Sequence, residues 1–240
     1  AGLTNYVEEH GCDIGIATDG DADRLGVIDD KAEFLHPNKI LVLLYYYLMR
    51  YRGWRGAAVR NLATTHLLDR IAEDFGETCY EVPVGFKYVS AKMVETGAII
   101  GGESSGGLTV RGHIQGKDGI YAAALLVEAI AKTGRRLSAL WDEITQKYGA
   151  AEMAEHDFHF SSAERTRIFK LLMEDKQLPE FPCEIAKVSY MDGCKVYFKN
   201  GGWVIARFSG TEPLLRVFCE MDTMENAEKI AKILTEFLSL

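Results

Sequence analysis

The chain has 240 residues, 48% hydrophobic and 26% charged, a composition that supports one large or two modest domains with a sizeable buried core. Its formal charge of −8 argues against a nucleic-acid binder held by general electrostatics, so any anionic ligand must meet locally placed positive charge. Five cysteines, Cys12, Cys79, Cys183, Cys194 and Cys219, form no CxxC pair and no zinc-type spacing, which fits reduced core thiols in a cytoplasmic protein.

The opening stretch "AGLTNYVEEHGCDIGIATDG" has neither an initiator methionine nor a signal pattern and reads as entering an apolar strand almost at once, so a fragment is expected. "CDIGIAT" and "RLGVID" are β-branched runs that predict strands on either side of an acidic connection. "ILVLLYYYLM", Ile40 to Met49, is about half the length that spans a bilayer and reads as a buried helix over 39–51. A strand over 57–65, a helix over 67–76, a strand over 78–85, a helix over 87–97, a strand over 98–103 and a long helix over 117–134 follow. That alternation predicts a parallel α/β sheet.

From about Ala150 the pattern changes. The segment 149–162 reads as a domain connection and 163–176 as an amphipathic helix. "CEIAKVSYM", "CKVYFK", "GWVIARF" and "LLRVFCEM" are strand-like runs, with Asp192-Gly193 and Asn200-Gly201 as hairpin signals between them, before a last helix near 224–239. A small antiparallel α+β domain is expected. No internal repeat and no low-complexity linker is present.

The chemistry concentrates first in "TDGDADR", residues 18–24. Alternate side chains of an extended backbone share a face, so Asp19, Asp21 and Asp23 can converge on one cation if the loop curls around it. Three such carboxylates repel one another without a cation, and a hard divalent ion with oxygen ligands resolves the repulsion. An EF-hand loop would need glycine where Arg24 stands and glutamate where Asp30 stands. A haloacid-dehalogenase-type phosphatase would place threonine or valine at Asp23, and a solvated acidic turn is the plainest alternative.

"TDGDADR" resembles the metal-binding loop of the α-D-phosphohexomutases, the phosphoglucomutase and phosphomannomutase enzymes. The resemblance implies that Asp19, Asp21 and Asp23 hold Mg²⁺ and that Arg24 contacts the reacting phosphate. "GGESSGG" (101–107) is similar to that family's G-E-x-S-G-G sugar loop and lies at the carboxyl end of a predicted strand, where ligands bind in open α/β sheets. Glu103 and Ser105 become hydroxyl ligands, a carboxylate being able to accept two sugar hydroxyls. Gly107 matches phosphoglucomutase-like members, whereas some phosphomannomutase-like and phosphoglucosamine members have histidine there. "GHIQGKDG" (112–119) resembles the phosphoglucomutase stretch with a reactive lysine, making Lys117 a general acid/base with His113 and Asp118 beside it. "PVGFKYV" (83–89) looks like the loop that distinguishes the sugar's two orientations, with Lys87 assisting and Phe86 open to a plain packing role.

"RFSGTEPLLR" (207–216) resembles the family's loop for the phosphate that is not transferred. Arg207 offers a planar fork, Ser209, Gly210 and Thr211 complete an anion nest, and Arg216 is a second cation or an exposed strand residue. The resemblance implies the end of a second domain (1–36), a sugar-binding third domain (37–148) and a phosphate-binding fourth domain (149–240). The family's phosphoserine loop, of the form T-A-S-H-N-P, does not occur in these residues. The isolated chain is therefore expected to lack mutase activity, its partners being a hexose phosphate, a hexose 1,6-bisphosphate and the missing N-terminal domain, with no nucleic acid and no membrane. A non-catalytic phosphosugar-binding module and a Mg²⁺-dependent sugar phosphatase are the competing readings.

Overall fold

The computed structural model of the chain, which describes residues 2–210 and 212–240, begins with helix α1 (Gly2–His10) and not with a strand. Leu3 and Val7, four apart, give the apolar stripe of a single-faced helix. They pack over Gly15, where a methyl group would lie 2.6 Å from Val7 Cγ2. The chain divides into two units, Ala1–Gly149 and Ala150–Leu240.

In the first unit, β1 (Gly15–Thr18), β2 (Leu25–Ile28) and β3 (Phe34–Leu35) form an antiparallel sheet in that order. Thr18 pairs with Leu25, so the acidic residues close a hairpin. Helix α2 (Pro37–Arg50) starts with proline at its first turn, where the missing N–H costs nothing, and the His36 Nδ1 accepts from the Asn38 amide at 3.2 Å. Every residue from Ile40 to Met49 is buried, which explains a sequence that is apolar all round. The three successive tyrosines are satisfied at their hydroxyls by Gly56 O, Glu143 and Glu128.

A second sheet has the order β5-β4-β6-β7. Strand β4 (Ala58–Asn61) lies parallel between β5 (Cys79–Val82) and β6 (Ile100–Gly102), and β7 (Leu108–Val110) adds an antiparallel edge. The ladder of β4 stops at Asn61, earlier than its apolar run, because the Asn61 side chain turns the chain by accepting from the Ala63 amide at 2.9 Å. Helices α3 (Leu67–Asp74), α4 (Phe86–Thr96) and α5 (Gly119–Thr133) follow the strands as their periodicity predicts. Helix α6 (Leu137–Tyr148) is an addition to the sequence reading. Its first turn is held by Asp30, which accepts from the Ser138 amide at 3.1 Å and hydroxyl at 2.7 Å. One bridge, Arg24 with Gly107, joins the acidic hairpin to the edge of the second sheet.

The second unit is a five-stranded antiparallel sheet in the order β8-β12-β11-β10-β9. Residues expected as a connection are instead strand β8 (Glu152–His159), paired along its length with β12 (Leu214–Met221). Its charged residues disguise the alternation, as befits an edge strand that must resist further pairing. Strands β9 (Ile185–Ser189), β10 (Cys194–Phe198) and β11 (Trp203–Phe208) complete the sheet. The helix expected over 163–176 is α7 (Ser162–Phe169), opened by a Ser161–Glu164 capping box and continued by a π-helical turn, Lys170–Glu174. Helix α8 (Met224–Phe237) packs on β12 and β8. Val196, Val204, Val217, Ile230 and Leu234 form the core with Cys194, whose thiol burial pushes up to about 11. No helix among the described residues is long and apolar enough to cross a membrane.

Candidate functional site

The acidic hairpin gathers its carboxylates tightly. Asp19, Asp21 and Asp23 can each offer a ligand atom such that all lie within 4.8 Å of one another. Glycine and alanine between them leave the backbone free to curl, and Ala22 adopts the left-handed region at φ 58°. Arg24 ties the loop back on itself: its amide donates to Asp19 Oδ1 at 3.2 Å and its Nε to Asp19 Oδ2 at 2.7 Å. Desolvation works against ionisation of Asp19, but the hydrogen bonds and charge of Arg24 outweigh it and hold the carboxyl below its usual range. Lys117 Nζ lies 2.5 Å from Asp23 Oδ2, placing a second cation at the opposite end of the triplet. Oxygen-only donors with this spacing fit a hard divalent ion.

The start of α5 supports the same loop. The Gly119 amide donates to Ala22 O at 3.0 Å, and the helix N-terminus favours neighbouring negative charge. A methyl group at Gly119 would lie 2.7 Å from Arg24 O, so only glycine permits this approach. Asp118 caps the helix by accepting from the Tyr121 amide at 2.8 Å, and it lies 2.7 Å from His113 Nε2. The Tyr121 amide first, and His113 after it, hold the Asp118 carboxyl below its usual range. The His113 ring stacks on Tyr121 with centroids 3.9 Å apart. The structure thus brings Asp19, Asp21, Asp23, Arg24 and Lys117 together, with His113 one step behind Lys117 at the first turn of α5.

Glu103 follows β6 and is buried, with Oε1 accepting from Asn61 Nδ2 at 3.0 Å and from the Gly85 amide at 2.9 Å. Ser105 is exposed at the tip of the same turn. Gly85 holds φ 133°, a conformation that side chains rarely adopt, and leads into α4, where Lys87 is exposed with its Nζ 4.9 Å from the Tyr88 ring centroid. Asn61, Thr64, Gly85 and Gly119 are participants that motif reading missed. Asn61 lies inside the run expected as a strand over 57–65, and Gly119 reads as an ordinary glycine at a helix start, so neither carries a local signal of its role.

In the second unit, Arg207 and Arg216 are register partners on β11 and β12, so their side chains share a face of the sheet. Arg207 Nε donates to Asp192 Oδ2 at 2.9 Å. Gly193 makes that possible, since a methyl there would lie 3.0 Å from the Arg207 Cα. Arg216 Nη2 donates to Glu212 Oε2 at 3.2 Å, while its buried Nε has no hydrogen-bond partner among the described residues. The hairpin loop above them carries Ser209, whose amide donates to Leu214 O at 2.8 Å, and the exposed Gly210. Thr211 lies outside the described residues. Two guanidinium groups beside a short loop of backbone amides are suited to an oxyanion.

Three models of one family match the chain. They are the phosphoglucomutase/phosphomannomutase alpha/beta/alpha domain II over residues 1–32, domain III over 36–148 and the C-terminal domain over 169–237. A phosphoglucomutase/phosphomannomutase of Thermococcus kodakarensis is 33% identical over 232 residues, covering 97% of this chain and 48% of that protein. A phosphoglucosamine mutase of an Exiguobacterium species is 29% identical over 239 residues, covering 98% of this chain and 49% of that protein. A crystal structure from Thermus thermophilus, of a protein assigned as a phosphomannomutase, is similar with a TM-score of 0.78 at 30% identity, covering 99% of this chain and 49% of that one. The chain spans about half the length of these curated relatives.

Proposed function

Because the chain belongs to the phosphoglucomutase/phosphomannomutase family, we propose that it forms the metal, sugar and phosphate sites of a cytoplasmic phosphohexomutase interconverting hexose 1- and 6-phosphates of glucose or mannose. The observation that carries the proposal is the acidic hairpin: three carboxylates that can each bring an oxygen within 4.8 Å of the other two, flanked by Arg24 and Lys117. Bound there by Asp19, Asp21 and Asp23, Mg²⁺ would neutralise charge on the phosphoryl group.

The phosphoryl donor would be a phosphoserine in a loop of the family's T-A-S-H-N-P form, which does not occur in these residues. Arg24 contacts the reacting phosphate. In the first transfer Lys117 takes the attacking sugar hydroxyl's proton while the departing serine oxygen takes one from solvent; in the second the serine hydroxyl attacks and gives its proton to solvent, and Lys117 returns its own to the departing sugar oxygen. The sugar becomes a bisphosphate between the two transfers, then gives its other phosphate to the enzyme. Glu103, Ser105 and Lys87 hold hydroxyls in either orientation, with His113 contributing through its second ring nitrogen. Arg207, Ser209, Gly210, Thr211 and Arg216 grip the idle phosphate. Correct placement of the reacting oxygen is the main contribution of both sets.

Asp21→Asn tests the reading. It should weaken Mg²⁺ binding measured calorimetrically while leaving phosphosugar binding at Arg207 intact. Loss of both with unchanged folding sinks the separation of the two sites. Release of inorganic phosphate from a sugar phosphate by this chain alone, above background, would favour a phosphatase instead.

A further inference from the structure

We propose that Asn61 and Thr64 are positioning residues that lock the 83–87 and 103–105 loops into one sugar-reading unit, an inference that rests on the function proposed above. The two loops follow different strands and could move independently. A single carboxylate oxygen prevents this: Glu103 Oε1 accepts from Asn61 Nδ2 at 3.0 Å and from the Gly85 amide at 2.9 Å.

Asn61 is itself held from below. Its Oδ1 accepts from the Ala63 amide at 2.9 Å and from Thr64 Oγ1 at 2.8 Å, so its Nδ2 is aimed at Glu103 without freedom to flip. Thr64 Oγ1 in turn accepts from the Ser104 amide at 2.9 Å, fixing the residue between the two proposed hydroxyl ligands. Thr64 is 0% exposed and Asn61 2%, so each lost bond would strand a polar group away from water. The base of this network is rigid as well. Arg60, 3% exposed beside Asn61, donates a two-pronged bond to Asp69 and a third bond to Glu81, tying the end of β4 to α3 and β5.

The consequence is chemical. With Oε1 committed, Glu103 is left with Oε2 for a sugar hydroxyl, and Lys87 stands two residues beyond the amide that shares the carboxylate. A sugar that shifts Glu103 must therefore shift the 83–87 loop with it. For a substrate that binds in two orientations, one rigid frame reads both.

The test is amide hydrogen exchange of the 240-residue chain by NMR, with Thr64→Val, Thr64→Ser and Asn61→Asp. Thr64→Val should accelerate exchange at Ser104 and Gly85 by about tenfold, the scale of one lost hydrogen bond, while Thr64→Ser restores the wild-type rates. Asn61→Asp should do the same at Gly85, because a carboxylate replaces the donor facing Glu103. If Asn61→Asp does not fold, the valine and serine pair decides. Unchanged exchange at Gly85 in Thr64→Val overturns the proposal, as does acceleration spread equally over the strand amides of Val59 and Ile99. Titration with glucose 1,6-bisphosphate and Mg²⁺ tests the underlying function separately. Resonances of Lys87 and Ser105 that shift together in the wild type and lose that concert in Thr64→Val support the coupling. No shift at either residue in the wild type removes the sugar-binding reading, and the exchange rates still decide the coupling.

Discussion

Gly119 and Arg24 meet backbone to backbone: a methyl group on Gly119 would lie 2.7 Å from the Arg24 carbonyl oxygen and 2.9 Å from its carbon. Neither partner is a flexible side chain that could yield. Alanine normally stabilises a helical position by about 0.5–1 kcal/mol relative to glycine. At Gly119 the overlap reverses that sign, since forced overpacking costs about 1–3 kcal/mol. Gly119→Ala should therefore lower the urea midpoint and weaken Mg²⁺ binding by about tenfold through displacement of the hairpin. A variant as stable as the wild type with unchanged Mg²⁺ affinity would show that the loop adapts without cost.

Asp118 gives the start of α5 a predictable pH response. Its folded pKa is lowered, first by the Tyr121 amide and then by His113, so its contribution is present above the unfolded value and is lost as pH falls through the folded one. Asp118→Asn keeps an acceptor for the cap but removes the charge facing His113. The variant should be less stable near neutrality by about 0.5 kcal/mol, the scale of a solvent-screened pair, and equal to the wild type in strong acid. Urea unfolding at about pH 7 and about pH 2 measures the difference. A gap that persists in acid would assign the effect to helix capping alone.

The paired arginines of the second unit should not be equivalent to lysines. Arg207 is held at Nε by Asp192, leaving the outer edge of its guanidinium for an oxyanion. Lysine offers a point charge without that fork. Arg207→Lys should weaken glucose 1,6-bisphosphate binding by about tenfold, followed by phosphorus NMR, with Mg²⁺ binding at the acidic hairpin unaffected. Equal binding by the lysine variant would mean that charge alone suffices.

The sequence made the candidate site residues legible because they are carried by short contiguous stretches whose chemistry is unusual: alternating aspartates, a glutamate among glycines, an arginine one residue before Ser-Gly. The alternation of strands and helices was equally plain through α5. What escaped is relational. Gly119 looks like any glycine at a helix start until the Arg24 carbonyl is seen above it. Asn61 looks like the middle of a strand until its side chain is found ending the ladder and facing Glu103. Strand β8 was hidden because its alternation is carried by Glu155, His156 and Asp157, whose polarity reads as linker. Helix α6 owes its first turn to Asp30, distant in sequence.

Gly107 supplies the last prediction, and it contrasts with Gly119. A methyl group at Gly107 would lie 2.2 Å from Lys117 Cδ and 2.8 Å from Lys117 Cγ, a clash with a flexible side chain and not with backbone. Lys117 can relieve it by changing rotamer, but then it leaves Asp23, which its Nζ now approaches to 2.5 Å. Gly107→Ala should thus change global stability by less than about 0.5 kcal/mol while abolishing the contact. A double-mutant cycle between Lys117→Met and Asp23→Asn measures it: a coupling of about 0.5–1 kcal/mol in the wild type should fall to near zero on the Gly107→Ala background. Retained coupling would show that Lys117 reaches Asp23 by another path. The same geometry bears on the identity of residue 107, because a histidine there would occupy the space through which the Lys117 stem passes. Glycine at 107 and the approach of Lys117 to Asp23 are therefore one choice made at two positions.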